Sequence, residues 1–259
     1  MGYWRKAKKL FFVLPSMAGT ILFYLFPLCY CFLYAFSRTP GRFTFGGLEN
    51  YNSLFHSDSF RLALGNTWLM MAACVGSLAV LSLFFVYILD ASKGVLGVLV
   101  VLSMPMLLPA TLITRCMEGV ELAPRLMLLL IYLWKYTGFH VLLLKMMELT
   151  MSPEWIEAAV LEHARKWQVF CKIKCWYLWP YIRFLLIFDG ICFFRLFRES
   201  YLLYGEYPPD EVYVVSNFFF NNFQNLNYQR LSAAAIAALI PVLILNGLLL
   251  KVGRKHEMV

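Results

Sequence analysis

Long apolar segments without charge are the feature that most constrains this chain. Residues 11–36 form a run of 26 residues with no Asp, Glu, Lys or Arg. At 1.5 Å per residue, a helix of that length crosses the hydrocarbon core of a bilayer, which is about 30 Å thick. No water is available there, so the backbone must satisfy its own hydrogen bonds as a helix. We therefore predict a protein of the lipid bilayer.

Five further apolar segments extend this pattern. The chain has 259 residues, of which 61% are hydrophobic and 15% charged, whereas soluble domains are about 45–50% apolar and about 25% charged. We predict one all-α membrane domain over residues 1–259 with six transmembrane helices. The predicted spans are residues 11–36, 64–89, 95–114, 126–144, 176–194 and 231–250.

The distribution of Lys and Arg predicts the orientation of these spans. With the N-terminus inside, fourteen of the 23 basic residues lie on the cytoplasmic side and eight on the outer side. This bias predicts a multi-pass protein of the cell membrane with both termini in the cytoplasm. The cytoplasmic set includes a cluster at Arg5, Lys6, Lys8 and Lys9. The apolar run after it is far longer than the core of a signal peptide, so we expect a retained first span.

Signals for metal, nucleotide, nucleic-acid or hydrolytic chemistry are missing from the sequence. The seven cysteines form no C-x-x-C pair, and the four histidines are far apart. There is no G-x-x-x-x-G-K-[ST] loop to hold phosphates, and no H-E-x-x-H or G-x-S-x-G motif. The basic residues that give the net charge of +8 lie at the ends of apolar runs, which does not indicate nucleic-acid binding. We expect no enzyme activity, no metal and no cofactor in this chain.

One charged, helix-forming stretch lies between the fourth and fifth spans, on the predicted cytoplasmic side. Ser152 followed by Pro153 is typical of a helix start, with serine as the N-cap and proline in the first turn. Residues spaced i, i+3, i+4 and i+7 share one helix face. Here that face comprises Trp155, Ala158, Ala159 and Glu162. Its small central residues would allow another surface to approach closely.

The segment EAAVLEHARKWQVFCKIKCWYLWP, which begins at Glu157, resembles the cytoplasmic EAA coupling loop of binding-protein-dependent ABC importer permeases. His163 stands where that family usually has glycine, which permits a turn between two short helices. Glu162 stands where the family often has aspartate. The residues that match in place are Glu157, Ala158, Ala159, Ala164, Phe170 and Ile173.

Two other regions extend the resemblance to the sugar-type permeases. Residues 45–67, FGGLENYNSLFHSDSFRLALGNT, resemble the segment after the first span of those proteins. Residues 194–235 resemble the segment that carries an outer loop, a short helix and the start of the last span. The resemblance implies the fold of a type I ABC importer permease, with six transmembrane helices and a cytoplasmic coupling helix within residues 152–175.

The resemblance also implies partners and an energy source. Such permeases pair with a second, homologous permease and with two cytoplasmic ATPase subunits, which use ATP and Mg. An extracellular solute-binding protein delivers the solute, which in this sub-family is a carbohydrate or a similar compound. The EAA helix docks in a cleft of an ATPase subunit and transmits its motion to the membrane helices. The implied coupling residues are Glu157, Ala158, Ala159, Glu162, His163 and Ala164.

Ionisable and aromatic residues in the later spans are candidates for a solute path. A charge at mid-bilayer costs about 2.5–3.5 kcal/mol on insertion scales, so it needs a partner or a water-filled route. Lys135 and His140 either line such a route or pair within the bundle. Aromatic rings offer flat apolar faces to sugars, although they also pack in cores and against lipid. The candidate path residues are Asp189, Phe193, Phe197, Tyr201 and Asn222.

Two other functions are compatible with the sequence. One is a polytopic enzyme acting on a lipid-linked substrate, with Asp189, Arg183 and His140 as its polar site; it would be active as the purified chain alone. The other is a membrane protein that binds partners without transporting. An uptake assay would distinguish the second alternative from a permease.

Overall fold

The computed structural model describes residues 13–39, 42–89 and 93–254. The first two residues of the first predicted span, Phe11 and Phe12, lie outside the described residues. So do the basic residues Arg5, Lys6, Lys8, Lys9 and Lys255, on which part of the predicted orientation depends.

The described residues are mainly helical, as the apolar runs predict. The first half of the chain contains α1 (Val13–Ala35, with a π-helical turn at Ile21–Leu25), α2 (Glu49–Phe55), α3 (Asp58–Ile88), α4 (Lys93–Leu102), α5 (Ala110–Cys116) and α6 (Pro124–Glu148). The second half contains α7 (Pro153–Leu161), α8 (Lys166–Val169), α9 (Cys175–Arg195), α10 (Phe197–Tyr204), α11 (Val215–Gln224) and α12 (Tyr228–Arg254).

Short elements complete the fold. A π-helical turn at Phe170–Lys174 joins α8 to α9, and 3₁₀ turns lie at Met104–Leu107 and Asp210–Val212. Two strands, β1 (Ser37–Thr39) and β2 (Arg42–Phe45), form an antiparallel hairpin after α1. The predicted all-helical pattern does not include this hairpin.

Four of the described helices, α1, α3, α6 and α12, are long and apolar enough to cross a membrane, and α4 with α5 would add a fifth if they count as one bent span. The predicted span 176–194 coincides with α9, a helix of 21 residues. The count of six spans therefore stays a prediction, while the predicted helical membrane fold agrees with the structure.

The third predicted span, residues 95–114, is broken instead of continuous. The segments Gly94–Leu107 and Ala110–Cys116 are bent by 100° relative to each other. Proline removes a backbone donor and clashes with the preceding helical turn, and the residue before a proline favours an extended conformation. Leu108, just before Pro109, has ψ 139°. The proline at 109 thus explains why α5 starts in a new direction.

Contacts divide the chain into two compact units, and the first contains residues 13–61 and 218–241 among the described residues. Aromatic rings pack within it: Phe60 lies 5.8 Å from Phe55 and 5.2 Å from Phe218 between ring centroids. The Asn50 side chain donates hydrogen bonds of 2.9 Å to the carbonyls of Ala35 and Ser37. Asn50 therefore joins α2 to the end of α1 and the start of the hairpin.

A second feature of this unit is the turn between the hairpin and α2. Gly47 has φ +60°, a conformation that glycine adopts without strain. Arg38 Nε donates a 2.7 Å hydrogen bond to Glu49 in the first turn of α2. Hydrogen bonding to the Arg38 guanidinium lowers the pKa of Glu49. The residues that resemble the sugar-type permeases at 45–67 thus have structural roles here.

The second unit contains residues 62–217 and 242–254 among the described residues, and its core surrounds α6. Asn66 Nδ2 donates to the carbonyls of Asp210 and Tyr213 at 2.5 and 3.1 Å. Thr67 Oγ1 accepts a 2.9 Å hydrogen bond from the Val215 amide. These contacts attach the 3₁₀ turn before α11 to α3. The core residues include Met70, Cys74, Leu78, Ile131, Tyr132, Tyr136, Cys192 and Phe193.

Helices α4 and α6 approach each other closely at Gly138, which is buried. A Cβ atom at this position would overlap the carbonyl group of Leu102 and lie 2.8 Å from the Ser103 amide nitrogen. These neighbours are backbone atoms and cannot rotate away. Only glycine fits at this crossing.

We predict that Gly138→Ala destabilises the protein by about 1–3 kcal/mol, because overpacking forces the two backbones apart. The matched control is Gly190→Ala in α9, where a Cβ would meet nothing within 4 Å. That control should be neutral or stabilising by about 0.5–1 kcal/mol. Thermal unfolding of the two purified variants in detergent checks this, and equal midpoints would contradict it.

Candidate functional site

The stretch that resembles a coupling loop folds as a short helix, α7, followed by a turn and α8. Pro153 occupies the first turn and Ser152 has the extended backbone of an N-cap, as predicted. The expected cap through the Ser152 hydroxyl is wrong, since that side chain makes no capping hydrogen bond. Proline at the first helical position already removes one of the amides that a cap would satisfy.

The side chains of α7 divide into a buried and an exposed set. Ala159 is only 8% exposed, whereas Leu161 is 81% exposed. The predicted face of small residues is therefore split: Ala158 points to the surface and Ala159 packs within the chain. The exposed members of the predicted coupling set are Glu157, Ala158, Glu162 and His163, and Ala164 is half-buried. The exposed apolar side chains around them are Trp155, Val160, Leu161 and Trp167.

The turn after α7 has the geometry that a glycine would give, although His163 occupies it. His163 has φ +58°, in the left-handed region. The Ala164 amide donates to the Ala159 carbonyl at 3.0 Å, and the His163 amide donates to the Val160 carbonyl at 3.0 Å. This pair of bonds is a Schellman motif, which normally has glycine at the left-handed position. The histidine thus preserves the turn at a conformational cost.

A cavity of about 320 Å³ lies beside α7 within the second unit. Tyr87 at the end of α3 and Phe170 in the π-helical turn form one side, with ring centroids 5.2 Å apart. Ile156, Val160 and Ala164 line the cavity from α7 and its turn. The coupling segment is therefore in contact with the ends of the long helices.

A buried cluster of charges lies next to this cavity. Lys145 Nζ is 2.7 Å from a carboxylate oxygen of Glu148, and these side chains are 1% and 5% exposed. Lys174, in the π-helical turn, pairs with the other oxygen of Glu148, and Lys145 also donates to the Leu89 carbonyl. The cluster joins the ends of α3 and α6 to the segment that leads from α7 to α9. The sequence signal, Lys and Glu at i and i+3 at the end of a span, does not reveal the third partner.

Two further pairs involve residues of α6 that lie within its predicted span. His140 Nε2 is 2.9 Å from Asp189 Oδ1, and both side chains are buried. Lys135 Nζ is 2.6 Å from Glu199 Oε1 of α10. Lys135 is thus paired within the second unit, and its place along a solute route stays a prediction. The Tyr132 hydroxyl also donates to the Asp189 carbonyl at 3.1 Å.

The structure places the candidate path residues in three different environments. Asp189 and Phe193 are buried in the core around α6. Phe197 and Tyr201 lie together on α10, with ring centroids 5.9 Å apart, and Tyr201 is exposed. Asn222 belongs to the first unit, where its side chain donates to the Phe218 carbonyl at 2.8 Å. Their role in solute passage stays a prediction.

Comparison with solved structures shows the fold of an ABC importer permease. The chain superimposes on a chain of a bacterial ABC transporter involved in the import of the acidic polysaccharide alginate, with a TM-score of 0.79, 19% identity, and coverage of 98% of this chain and 99% of that one. A chain of a bacterial alginate ABC transporter in complex with an alginate pentasaccharide-bound periplasmic protein gives a TM-score of 0.78 at 19% identity. This match covers 97% of this chain and 95% of that one.

Curated relatives agree with this fold. The chain is 26% identical to the arabinooligosaccharides transport system permease protein AraP of Bacillus subtilis, over 97% of this chain and 90% of that protein. It is 23% identical to the multiple sugar-binding transport system permease protein MsmF of Streptococcus mutans, over 95% of each. No protein-family model matches the chain. The predicted resemblance to sugar-type importer permeases is confirmed, and these relatives support that function over the two alternatives.

We predict that His163→Gly slows hydrogen exchange at the end of α7, because it removes a left-handed conformation that costs an L-residue about 1–2 kcal/mol. His163→Val should speed exchange, since β-branched residues are poorly tolerated there. The measurement is hydrogen–deuterium exchange of peptides covering residues 153–164 in the full chain.

The control for this comparison is Glu162→Gly, one residue earlier, where φ is −82°. Glycine at that position gains no conformational relief, so exchange should become faster. If glycine at 163 and glycine at 162 changed exchange in the same direction, the assignment of the turn would be wrong.

We also predict that Glu148→Gln is destabilising by about 3–5 kcal/mol, because it leaves the buried Lys145 charge without its partner. Glu118→Gln is the matched control: Glu118 also forms an i,i+3 pair, with Arg115, but that pair is exposed and should contribute about 0–1 kcal/mol. Thermal unfolding of both variants in detergent checks the difference, and a Glu148 variant as stable as the Glu118 variant would contradict it.

Proposed function

We propose that the chain is the permease subunit of an ABC importer and forms half of the translocation path for a carbohydrate or a related solute. The observation that carries this proposal is the exposed α7, found at the position predicted for a coupling helix in a chain that resembles sugar importer permeases over almost its whole length. The other half of the path would come from a second, homologous permease.

The energy source in this proposal is ATP hydrolysis, with Mg, in two cytoplasmic ATPase subunits. Leu161 is 81% exposed, although leucine normally contributes to stability by burial. Val160 and Trp155 are also exposed on this short helix, which carries exposed acidic residues as well, and such exposed apolar side chains suit a cleft on a partner protein. This role requires residues 152–175 to lie in the cytoplasm, as the predicted orientation has them.

A movement of α7 would be transmitted to the long helices α6 and α9 through covalent and ionic connections. The chain runs from α7 through the turn at His163 into α8 and then α9. Lys174, in the π-helical turn before α9, pairs with Glu148 at the end of α6. Displacement of α7 by the ATPase subunits would therefore move α6 and α9 together. Alternating access in the membrane would follow from that movement, with solute delivered by an extracellular solute-binding protein.

We predict that Leu161→Glu reduces solute uptake by at least about tenfold, since a charge in a desolvated interface costs more than 1 kcal/mol. Ala158→Leu should have a similar effect by filling the space above a small exposed residue. Ala159 is less suitable for this test, because its burial within the chain makes a bulky charge there disturb folding as well. Uptake of a panel of labelled oligosaccharides by cells that lack the native gene and carry each variant is the measurement.

The matched control is Leu122→Glu, a substitution of the same type at an exposed residue in the loop before α6. It should leave uptake unchanged. Membrane extracts must contain each variant in equal amount, so that loss of uptake reports coupling and not insertion. Unchanged uptake in the Leu161 and Ala158 variants would contradict the coupling role of α7.

A further inference from the structure

A small polar cavity of about 220 Å³ lies within the second unit, where the bend between α4 and α5 meets α6 and the junction of α9 and α10. Its volume is below the roughly 300–1,000 Å³ of drug-sized ligand sites, so it can hold one sugar ring or one headgroup and no longer chain. Its polar lining differs from the apolar surroundings of the neighbouring helices. The side chains that line it include Lys135, Tyr136, Arg195, Arg198 and Glu199.

The charges of this cavity do not cancel. Lys135 and Glu199 pair with each other at 2.6 Å, and their side chains are largely buried. Arg195 and Arg198 are exposed, and neither makes a hydrogen bond or a salt bridge to another of the described residues. The cavity therefore has an excess of two positive charges, both on guanidinium groups. They lie three residues apart, on either side of the break at Leu196.

The two guanidinium groups have no hydrogen-bond or salt-bridge partner in the part of the chain that the structure describes, and they determine which ligand the cavity can bind. Each presents five N–H donors in a planar fork that matches the paired oxygens of a carboxylate or a phosphate. Such charge-assisted, bidentate bonds are roughly twice as strong as bonds between neutral groups. Lys135 is paired with Glu199 Oε1, so Arg195 and Arg198 are the cationic groups left to bind an anion, while Glu199 Oε2 is buried without a hydrogen-bond partner among the described residues. We propose that this cavity binds an anionic oxygen group, a carboxylate or a phosphate, through Arg195 and Arg198.

Two sources can supply this group. If the proposed permease function holds, a carboxylate-bearing sugar in the solute path is one source. The other source is the phosphate of an anionic lipid headgroup, because the junction lies at the end of a predicted span. Both present the same oxygens to the two arginines.

The first experiment measures binding to the purified full chain in a neutral detergent. Sodium galacturonate is the anionic probe, and galactose at the same ionic strength is its uncharged match. We expect galacturonate to bind the wild-type chain, and the double variant Arg195→Gln, Arg198→Gln to bind it about tenfold more weakly or worse, as expected for lost charge-assisted hydrogen bonds. Arg115→Gln, which removes an exposed arginine elsewhere, should bind like the wild type.

The second experiment tests the lipid source. The chain is placed in nanodiscs of phosphatidylcholine with phosphatidylglycerol. Native mass spectrometry then counts the lipid molecules that remain bound to the protein after it is released from the nanodisc. Retention of phosphatidylglycerol that depends on the two arginines identifies a headgroup site, whereas arginine-dependent galacturonate binding identifies a solute site. The proposal is overturned if neither probe binds in a way that distinguishes the double variant from Arg115→Gln.

A milder variant keeps the test decisive if the double variant does not fold. Arg198→Lys retains the charge but loses the fork, so it should weaken binding of the effective probe by an intermediate factor. Wild-type affinity in this variant, together with wild-type affinity in Arg198→Gln, would also overturn the proposal. These measurements need no ATPase subunit, so a failure of the anion site and a failure of coupling through α7 give separate results.

Discussion

Glu148 makes the interaction on which the arrangement of the coupling segment depends. Its carboxylate holds Lys145 of the same helix and Lys174 of the turn before α9, while Lys145 also donates to the Leu89 carbonyl. Taking these groups out of water is costly, and the cost is recovered only while all partners stay in place. The ends of α3 and α6 and the start of α9 are therefore fixed together. In the proposed mechanism, displacement of α7 moves these helix ends together.

The long helices could be predicted because their cause is local. A long apolar run in lipid satisfies its backbone hydrogen bonds within the segment by forming a helix. The predicted spans 64–89, 126–144 and 231–250 accordingly fall almost wholly within α3, α6 and α12. The bend of α4–α5 could not be predicted in the same way. Prolines in membrane helices are tolerated when neighbouring groups satisfy the backbone. Pro109 therefore shows where a helix can break, without showing that it does.

The sequence predicts a helix that starts at Pro153, and the structure contains α7 there, whereas the coupling role of its residues stays a prediction. The motif did not show whether the turn after α7 can form with His163 in place of glycine. In the structure His163 adopts a left-handed conformation, and the turn is retained. The pairing of Asp189 with His140 and the burial of Ala159 depend on how helices pack, and no spacing within one segment reveals that. Likewise, the sequence alone does not show that Arg195 and Arg198 line a cavity, because that cavity depends on the bend between α4 and α5.

Site-specific photo-crosslinking tests most directly whether α7 docks on a cytoplasmic ATPase subunit, as we propose. A benzophenone amino acid replaces Leu161 in cells that express the complete transporter, and Leu107, an exposed residue in the 3₁₀ turn between α4 and α5, is replaced as the control. We predict an adduct at position 161 with a protein that contains a G-x-x-x-x-G-K-[ST] nucleotide-binding loop, and no such adduct at position 107. An absence of that adduct at 161, or equal yields at both positions, would contradict it.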